Sequence, residues 1–276
     1  MPTTTSNPRK ISNGSTLGTQ ARMGVSLDGH DKVIALAGNP NTGKSTVFNH
    51  LTGLKQHTGN WPGKTVTRAE GSFTYNHFRY KLVDLPGTYS LLSASTDEEV
   101  ARNFILFGQP DCTIVVVDAT VLERNLNLVF QVMEITDKVV LCVNLMDEAK
   151  RKGIAIDSEQ LEFDLGIPTI PTVARVGQGI DDLLAAVAGI VHGTIQTAPK
   201  VPPPPAELRE AIDELVPMIE AVAPGIPNAR WIAYRLLEGD LQVRQALLAN
   251  KLGTLASTLS EPHRCTNHEQ SMEAAS

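Results

Sequence analysis

The chain has 276 residues, of which 42% are hydrophobic, so it can fill one sizeable core and a smaller one. Its formal net charge of −6 argues against a general nucleic-acid-binding protein, because such proteins usually present a basic face. No apolar run after Lys32 is long enough to cross a bilayer, and the N-terminus lacks a signal-peptide core, so we expect a soluble cytoplasmic protein. The three cysteines show no paired spacing, which predicts free thiols.

Strand-like and helix-like segments alternate over residues 31–197, which we interpret as one domain. Buried strands are predicted at 32–38, 113–119, 138–147 and 167–174, helices at 45–54, 126–135 and 179–191, and an extended pair at 65–75 and 78–85 around a turn at Asn76 and His77. This alternation predicts an α/β fold, a mostly parallel sheet flanked by helices.

Composition divides the rest of the chain into segments. Residues 1–30 are polar and predicted to be a disordered extension, and 198–205 form a Pro-rich linker with four consecutive prolines. Residues 206–260 are predicted to form a small all-helical subdomain, with Trp231, Tyr234 and Leu237 as a core stripe, and 261–276 a flexible tail. In that tail His263, Cys265 and His268 lack the spacing of a tetrahedral metal site, so we favour no metal there.

The first predicted strand runs into a phosphate-binding loop, or P-loop, of the pattern G-x-x-x-x-G-K-[ST]. Its predicted nucleotide-binding residues are Gly38, Asn39, Pro40, Asn41, Thr42, Gly43, Lys44, Ser45 and Thr46. Glycines let the backbone N–H groups turn toward phosphate oxygens, and the following helix adds the positive end of its dipole. Lys44 is expected to bridge the β- and γ-phosphates and Ser45 to ligate Mg²⁺. A glycine-rich turn that binds nothing is the alternative, and the strand before and helix after the loop disfavour it.

A second motif, Asp84-Leu85-Pro86-Gly87, ends the strand-like segment 78–85. Its carboxylate is predicted to hold Mg²⁺, and the Gly87 N–H to face the γ-phosphate. Thr65 lies between the two motifs and is the candidate switch threonine that closes over Mg²⁺, although taken alone it would be an ordinary residue at the start of a strand.

A third motif, Asn144-Leu145-Met146-Asp147, forms the end of the predicted strand 138–147, directly after its apolar run KVVLCV. A carboxylate there accepts both N1–H and the 2-amino group of guanine, which adenine cannot offer, so Asp147 is predicted to select guanine. A helix cap or turn is the alternative for an isolated N-x-x-D. The loop Val173-Ala174-Arg175 is predicted to bring the Ala174 N–H to the guanine O6.

Together these residues resemble the cytosolic N-terminal region of the FeoB family of bacterial ferrous iron transporters, over about Lys32 to Ala249. The telling stretches are GNPNTGKST, HTGNWPGKTV, DLPGTYSL, NLMDEAKRKG and ARWIAYRLLEGD. The resemblance implies a G domain, a helical subdomain that regulates nucleotide dissociation, and a membrane transporter portion beyond it. It also implies that Asn41 ligates an activating K⁺, with backbone carbonyls near Gly59 and Trp61, and that Lys44, Thr65, Gly87 and Asn41 are the catalytic set.

The expected activity is slow, potassium-stimulated GTP hydrolysis that regulates or powers ferrous iron transport at the cytoplasmic face of the bacterial inner membrane. Thr88 stands where many GTPases have a water-orienting glutamine, which predicts slow turnover. Val173 stands where the family usually has serine, which predicts a looser contact with the base. Expected partners are GTP or GDP, a transporter portion of the same or another chain, and a second copy of the chain, but no nucleic acid. A stand-alone regulatory GTPase, a passive nucleotide-dependent switch and a ribosome- or tRNA-associated GTPase remain alternatives, and whether the chain is a fragment or a soluble homologue stays open.

Overall fold

The computed structural model describes Val25 and residues 32–53, 56–92 and 95–248. Their strands are β1 (Lys32–Gly38), β2 (Gln56–Asn60), β3 (Thr67–Tyr75), β4 (Phe78–Asp84), β5 (Cys112–Asp118), β6 (Val139–Asn144) and β7 (Thr169–Pro171). Their helices are α1 (Lys44–Thr52), α2 (Thr96–Asn103), α3 (Leu122–Ile135), α4 (Met146–Arg151), α5 (Ser158–Leu165), α6 (Ile180–Val191), α7 (Ala206–Val222), α8 (Ala229–Leu237) and α9 (Leu241–Leu248). A π-helical turn (Phe104–Gly108) follows α2, and single 3-10 turns lie at Ala119–Val121 and Ala174–Val176.

The strands form one seven-stranded sheet in the order β2-β3-β4-β1-β5-β6-β7. The strands β4, β1, β5, β6 and β7 are parallel, and β2 and β3 are antiparallel at one edge. Successive residues of β1 point to opposite faces: Ile34 and Leu36 join the core that contains α1 and α6, and Ala35 and Ala37 join the core that contains α2 and α3. Helices on both faces of a mostly parallel sheet confirm the predicted α/β class.

The hairpin between β3 and β4 turns at Asn76 and His77, which have φ of 47° and 67°. Two consecutive left-handed residues make the tight hairpin turn whose twist matches that of the strands. The predicted extended pair is therefore confirmed as an antiparallel hairpin.

Several sequence predictions differ from the structure at element ends. The strand predicted over 167–174 is only Thr169–Pro171, since Pro171 has no N–H to continue a ladder and a 3-10 turn follows at Ala174–Val176. The strand predicted over 138–147 ends at Asn144, and helix α4 begins at Met146. The sequence patterns do not predict strand β2 or helices α2, α4 and α5, because these helices are short and polar and β2 lacks an apolar period. Within residues 1–30 the structure describes Val25, which is buried with 2% exposure in the core beside α2 and α3.

The predicted linker is attached to the first domain at its start. The N–H groups of Ala198 and Lys200 donate to the carbonyls of Gly166 and Leu165, both at 2.9 Å. A side chain at Gly166 would place its Cβ 2.1 Å from the Ala198 carbonyl oxygen, so glycine lets the linker lie close to the end of α5. The linker is thus fixed on the domain surface before its prolines lead into α7.

Helices α7 to α9 form the predicted helical subdomain, and it shares a core with the sheet domain. Ile212, Ile219 and Trp231 belong to the same buried cluster as Phe104. Asn228 precedes α8, and its Nδ2 donates to the carbonyls of Glu134 and Ile135 at 2.9 Å each, at the end of α3. The prediction of a core stripe is wrong at Leu237, which is 39% exposed.

The predicted buried thiols are confirmed at Cys112 and Cys142, which are free. Burial raises the pKa of both, that of Cys142 to about 12. Cys265 lies outside the described residues, as do His263 and His268. No helix within the described ranges is long and apolar enough to span a membrane.

Candidate nucleotide-binding site

The P-loop lies where β1 ends, at the carboxyl edge of the parallel strands, and α1 begins at Lys44. A Cβ at Gly38 would lie 2.5 Å from the Val116 carbonyl oxygen, and one at Gly43 would lie 2.4 Å from Asn144 Nδ2. Gly43 also has a φ of 80°, which side-chain-bearing residues rarely adopt. Both positions of the motif therefore require glycine, because neighbouring atoms of the protein lie too close to leave room for a Cβ.

The loop is closed by local hydrogen bonds. Thr42 Oγ1 donates to the Asn39 carbonyl at 2.9 Å, and the N–H groups of Thr46 and Val47 donate to the Gly43 carbonyl at 2.9 and 3.0 Å. Asn41 adopts a left-handed φ of 66° with an exposed side chain. Ser45, the predicted Mg²⁺ ligand, is exposed in the first turn of α1.

The structure brings Lys44 and Asp84 together. Lys44 Nζ donates to the Asp84 carboxylate and, at 2.8 Å, to the Leu85 carbonyl. Burial raises the pKa of Asp84, and the positive charge of Lys44 acts in the opposite direction. The cation predicted to hold phosphate and the carboxylate predicted to hold Mg²⁺ thus occupy one partly buried site.

The second motif lies against the P-loop. The Thr88 N–H donates to the Gly38 carbonyl at 3.3 Å, and a Cβ at Gly87 would lie 3.6 Å from Pro40. Thr88 Oγ1 donates to the Ser90 carbonyl at 2.6 Å and accepts from the Ser90 N–H at 3.2 Å. Because this hydroxyl is engaged in a local turn, it does not replace a water-orienting glutamine.

Asn144 connects the third motif to the P-loop. Its side chain, 1% exposed, donates from Nδ2 to the Thr42 carbonyl at 2.9 Å. Its Oδ1 accepts from the Ala174 N–H at 3.0 Å and from Thr172 Oγ1 at 3.2 Å. The Ala174 N–H that the sequence assigns to the guanine O6 is therefore bonded to Asn144 here, and Thr172 is a member of the site that no sequence pattern indicated.

Asp147 lies at the start of α4 with its side chain 30% exposed. Its Oδ2 lies 3.3 Å from an Arg175 nitrogen and 3.8 Å from an Arg151 nitrogen. The preceding Leu145 has a left-handed φ of 64°, which turns the chain sharply out of β6. The fold thus places an accessible carboxylate at the carboxyl end of the strands, as it does the P-loop. Val173, in the loop predicted to contact the base, forms an isolated β-bridge with Gln178.

The first switch segment, which we define as residues 59–66, folds against β3. Gly59 lies in β2 in register with Arg68, and the Trp61 carbonyl accepts the Lys64 N–H at 3.0 Å. The Trp61 side chain is buried against Phe104, with ring centroids 5.3 Å apart. Thr65 is exposed. The Trp61 carbonyl, one of the predicted potassium ligands, thus accepts one backbone hydrogen bond in this structure.

A P-loop joined to a partly buried lysine–carboxylate pair, with an N-x-x-D motif two strands away on the same sheet edge, defines the class of P-loop GTPase-fold domains. Among known families, the model described as "Ferrous iron transport protein B" matches residues 32–187, and the one described as "FeoB cytosolic helical domain" matches residues 205–273. The chain therefore belongs to the FeoB family, as the sequence motifs predicted.

Curated relatives agree with this assignment. The Fe(2+) transporter FeoB of Salmonella typhimurium is 42% identical over 217 residues, which are 76% of this chain and 27% of that protein. The Fe(2+) transporter FeoB of Escherichia coli (strain K12) is 40% identical over 216 residues, again 76% and 27%. The chain thus spans about a quarter of the length of these relatives.

Solved structures are similar over both parts of the chain. The cytosolic domain of T. maritima FeoB in apo form has a TM-score of 0.73 at 36% identity, covering 81% of this chain and 87% of that one. The cytosolic domain of L. pneumophila FeoB has a TM-score of 0.70 at 34% identity, covering 83% and 97%. A variant of S. thermophilus NFeoB bound to GDP has a TM-score of 0.71 at 33% identity, covering 83% and 89%.

Proposed function

We propose that the chain binds GTP with Mg²⁺, hydrolyses it slowly with stimulation by K⁺, and regulates or powers ferrous iron transport across the bacterial inner membrane. The observation that carries this is the meeting of Lys44, Asp84 and the P-loop, with Asn144 fixing the loop to the segment that ends in Asp147. The S. thermophilus relative that is bound to GDP supports a guanine nucleotide as the ligand.

The side chains of the site divide the work of nucleotide binding. Lys44 leaves Asp84 to contact the β- and γ-phosphates, and Asp147 exchanges its arginine partners for the N1–H and 2-amino groups of guanine. The oxygens of Ser45 and Asp84 are the ligand type that Mg²⁺ prefers, so this donor set fits that ion. When bound, Mg²⁺ neutralises charge that develops on the phosphate oxygens.

The proposed hydrolysis depends on closure of two segments around the γ-phosphate. The Thr65 hydroxyl would help to hold Mg²⁺ and the Gly87 N–H would face the γ-phosphate, while the Asn41 side-chain oxygen would hold K⁺ at the P-loop. Because the Thr88 hydroxyl is bonded to Ser90, backbone groups must orient the attacking water, which makes turnover slow. Release of these segments after hydrolysis then acts on the helical subdomain and, through it, on a transporter portion of the same or a partner chain at the cytoplasmic face of the membrane.

The first experiment is GTP hydrolysis by the purified chain in K⁺ and in Na⁺ at equal ionic strength, with ATP as the control substrate. We expect turnover of GTP alone, faster in K⁺. The variant Asn41→Ala should keep guanine binding and lose the potassium response, and equal stimulation in variant and parent would refute the assignment of Asn41.

A second candidate function is a passive switch that binds GTP or GDP without turnover. The engaged Thr88 hydroxyl favours it, since a hydroxyl that is bonded to Ser90 is not free to orient water. Tight nucleotide binding with no phosphate release in K⁺ would select this candidate over the GTPase.

A further inference from the structure

The Asn39 side chain is buried at the second position of the P-loop and makes no hydrogen bond. Its exposure is 1%, and neither Nδ2 nor Oδ1 has a hydrogen-bond partner among the residues that the structure describes. A buried amide without partners is unfavourable, and such groups in proteins call for a specific explanation. Asn39 is therefore a candidate for a group that acquires its partners in another state of the site.

The residues on both sides of Asn39 contact the second switch segment, which we define as residues 86–88. The Gly38 carbonyl accepts the Thr88 N–H at 3.3 Å, and Pro40 lies 3.6 Å from the position of a Gly87 Cβ. The Asn39 carbonyl accepts Thr42 Oγ1, which fixes the backbone at this point. Asn39 thus stands at the junction between the P-loop and the segment that is proposed to close on the γ-phosphate.

One backbone hydrogen bond, from the Thr88 N–H to the Gly38 carbonyl, joins the second switch segment to the P-loop in this arrangement. Pro86 has no N–H, the Thr88 hydroxyl bonds only to Ser90, and the Gly87 N–H donates to no described residue. A primary amide supplies two donors and an acceptor, which match the free carbonyls and N–H of a backbone segment. A group that is unpaired in one state and paired in another favours the paired state by its differential interaction.

We infer that Asn39 is a positioning residue whose amide hydrogen-bonds the backbone of the second switch segment when GTP is bound, and so holds the Gly87 N–H toward the γ-phosphate. This inference rests on the proposed function. The sequence pattern placed Asn39 among the nucleotide-binding residues, but its side chain is only 1% exposed, so the inferred role is exerted through residues 86–88 and not by contact with the phosphate. Its effect therefore falls on turnover and on the distinction between GTP and GDP, and leaves GDP affinity unchanged.

The test replaces Asn39 by leucine, which keeps the volume and removes the polar atoms, in the full chain. We expect kcat for GTP to fall about tenfold, as for the loss of one hydrogen bond in the reacting state. GDP affinity should stay within about twofold, and thermal unfolding without nucleotide should occur at the same or a higher temperature because the unpaired amide is gone.

Thr113→Val is the matched control. Thr113 is also fully buried with an unpartnered hydroxyl, but it lies at the opposite end of β5 from the P-loop. Loss of the Thr113 hydroxyl should leave kcat unchanged, and the unfolding temperature without nucleotide should stay the same or rise. Asn39→Leu refutes the inference if kcat matches that of Thr113→Val, or if GDP affinity and the unfolding temperature fall together with kcat.

Failure of the proposed function gives a different result. If the parent chain does not hydrolyse GTP, the readout becomes the thermal shift produced by a non-hydrolysable GTP analogue relative to GDP. Asn39→Leu must then reduce the analogue's shift and preserve the shift with GDP, and equal shifts in variant and parent would refute the role of Asn39. If the parent binds neither nucleotide, both the proposed function and the inference fail.

Discussion

A buried ion-pair network joins the helical subdomain to the G domain, and Asp240 is its centre. Asp240 Oδ2 lies 3.1 Å from a nitrogen of Arg235 and 3.5 Å from a nitrogen of Arg102, which belongs to α2 of the G domain. The side chains of Arg102, Asp240 and Arg235 are 2%, 5% and 8% exposed. Burial lowers the pKa of the Arg102 guanidinium and the Asp240 carboxylate opposes that shift, so the carboxylate compensates a buried positive charge.

The replacement Asp240→Asn removes this charge and keeps the shape. Asp240 Oδ1 also accepts the N–H groups of Gln242 and Val243 at 3.0 and 3.1 Å, and an asparagine oxygen retains this cap of α9. Breaking a buried pair from one side costs about 3–5 kcal/mol, because the partner charge stays buried. The unfolding temperature of a chain of this size should then fall by about 6–20 °C. Asp240→Ala should cost about 1 kcal/mol more, since it also removes the cap.

The assay is denaturant and thermal unfolding of the full chain, with Asp213→Asn as the control. Asp213 pairs with Arg230 on the surface, where both side chains are more than half exposed, and its loss should cost less than about 1 kcal/mol. A loss below about 1 kcal/mol for Asp240→Asn would refute the argument that this network stabilises the interface.

Other predictions concern the nucleotide site and one half-buried acid, Glu134. Gly43→Ala should abolish GTP and GDP binding, measured by titration calorimetry, because its Cβ would meet Asn144 Nδ2 at 2.4 Å; retained affinity would show that the loop can adapt. Asp147→Ala should weaken GTP binding by about 100-fold, through loss of a paired hydrogen bond, without gaining ATP binding; unchanged GTP affinity would contradict guanine recognition by Asp147. Burial and the nearby Glu238 raise the pKa of Glu134, so ionisation of Glu134 lowers stability as pH rises above the ordinary carboxyl range. Glu134→Gln should therefore unfold at higher temperature than the parent at pH 7 and equally below about pH 4, and a difference that persists at low pH would exclude this cause.

Much of the fold and site followed from local patterns. The P-loop lies between a buried strand and a helix, and Gly38, Gly43 and Lys44 lie close together in the chain, so their spacing alone predicts a phosphate-binding backbone. The same holds for Asp84 and Asp147, each at the end of an apolar run that becomes β4 or β6. Parallel strands present their carboxyl ends on one edge, so alternating strands and helices already placed these groups near each other.

Local patterns could not predict short elements that lack a clear periodicity of apolar residues. Strand β2 contains glycine and polar residues, and it exists because it pairs with β3 along residues 56–60. Val25 lies in a polar stretch whose composition is typical of disorder, yet its side chain is buried in the core beside α2 and α3. In both cases tertiary contact outweighs local propensity.

The sequence by itself determined the chemistry of the motifs, the α/β class and the FeoB family, because these depend on residue types at fixed short spacings. Tertiary structure decided which groups meet across long separations. Asn144 bonds to Thr42, 102 residues away, and Arg102 reaches Gln242, 140 residues away. Such contacts form only when the sheet order and the docking of the subdomain bring the chain together, and no local period encodes them. For the same reason, the unpartnered amide of Asn39 became visible only when its burial was known.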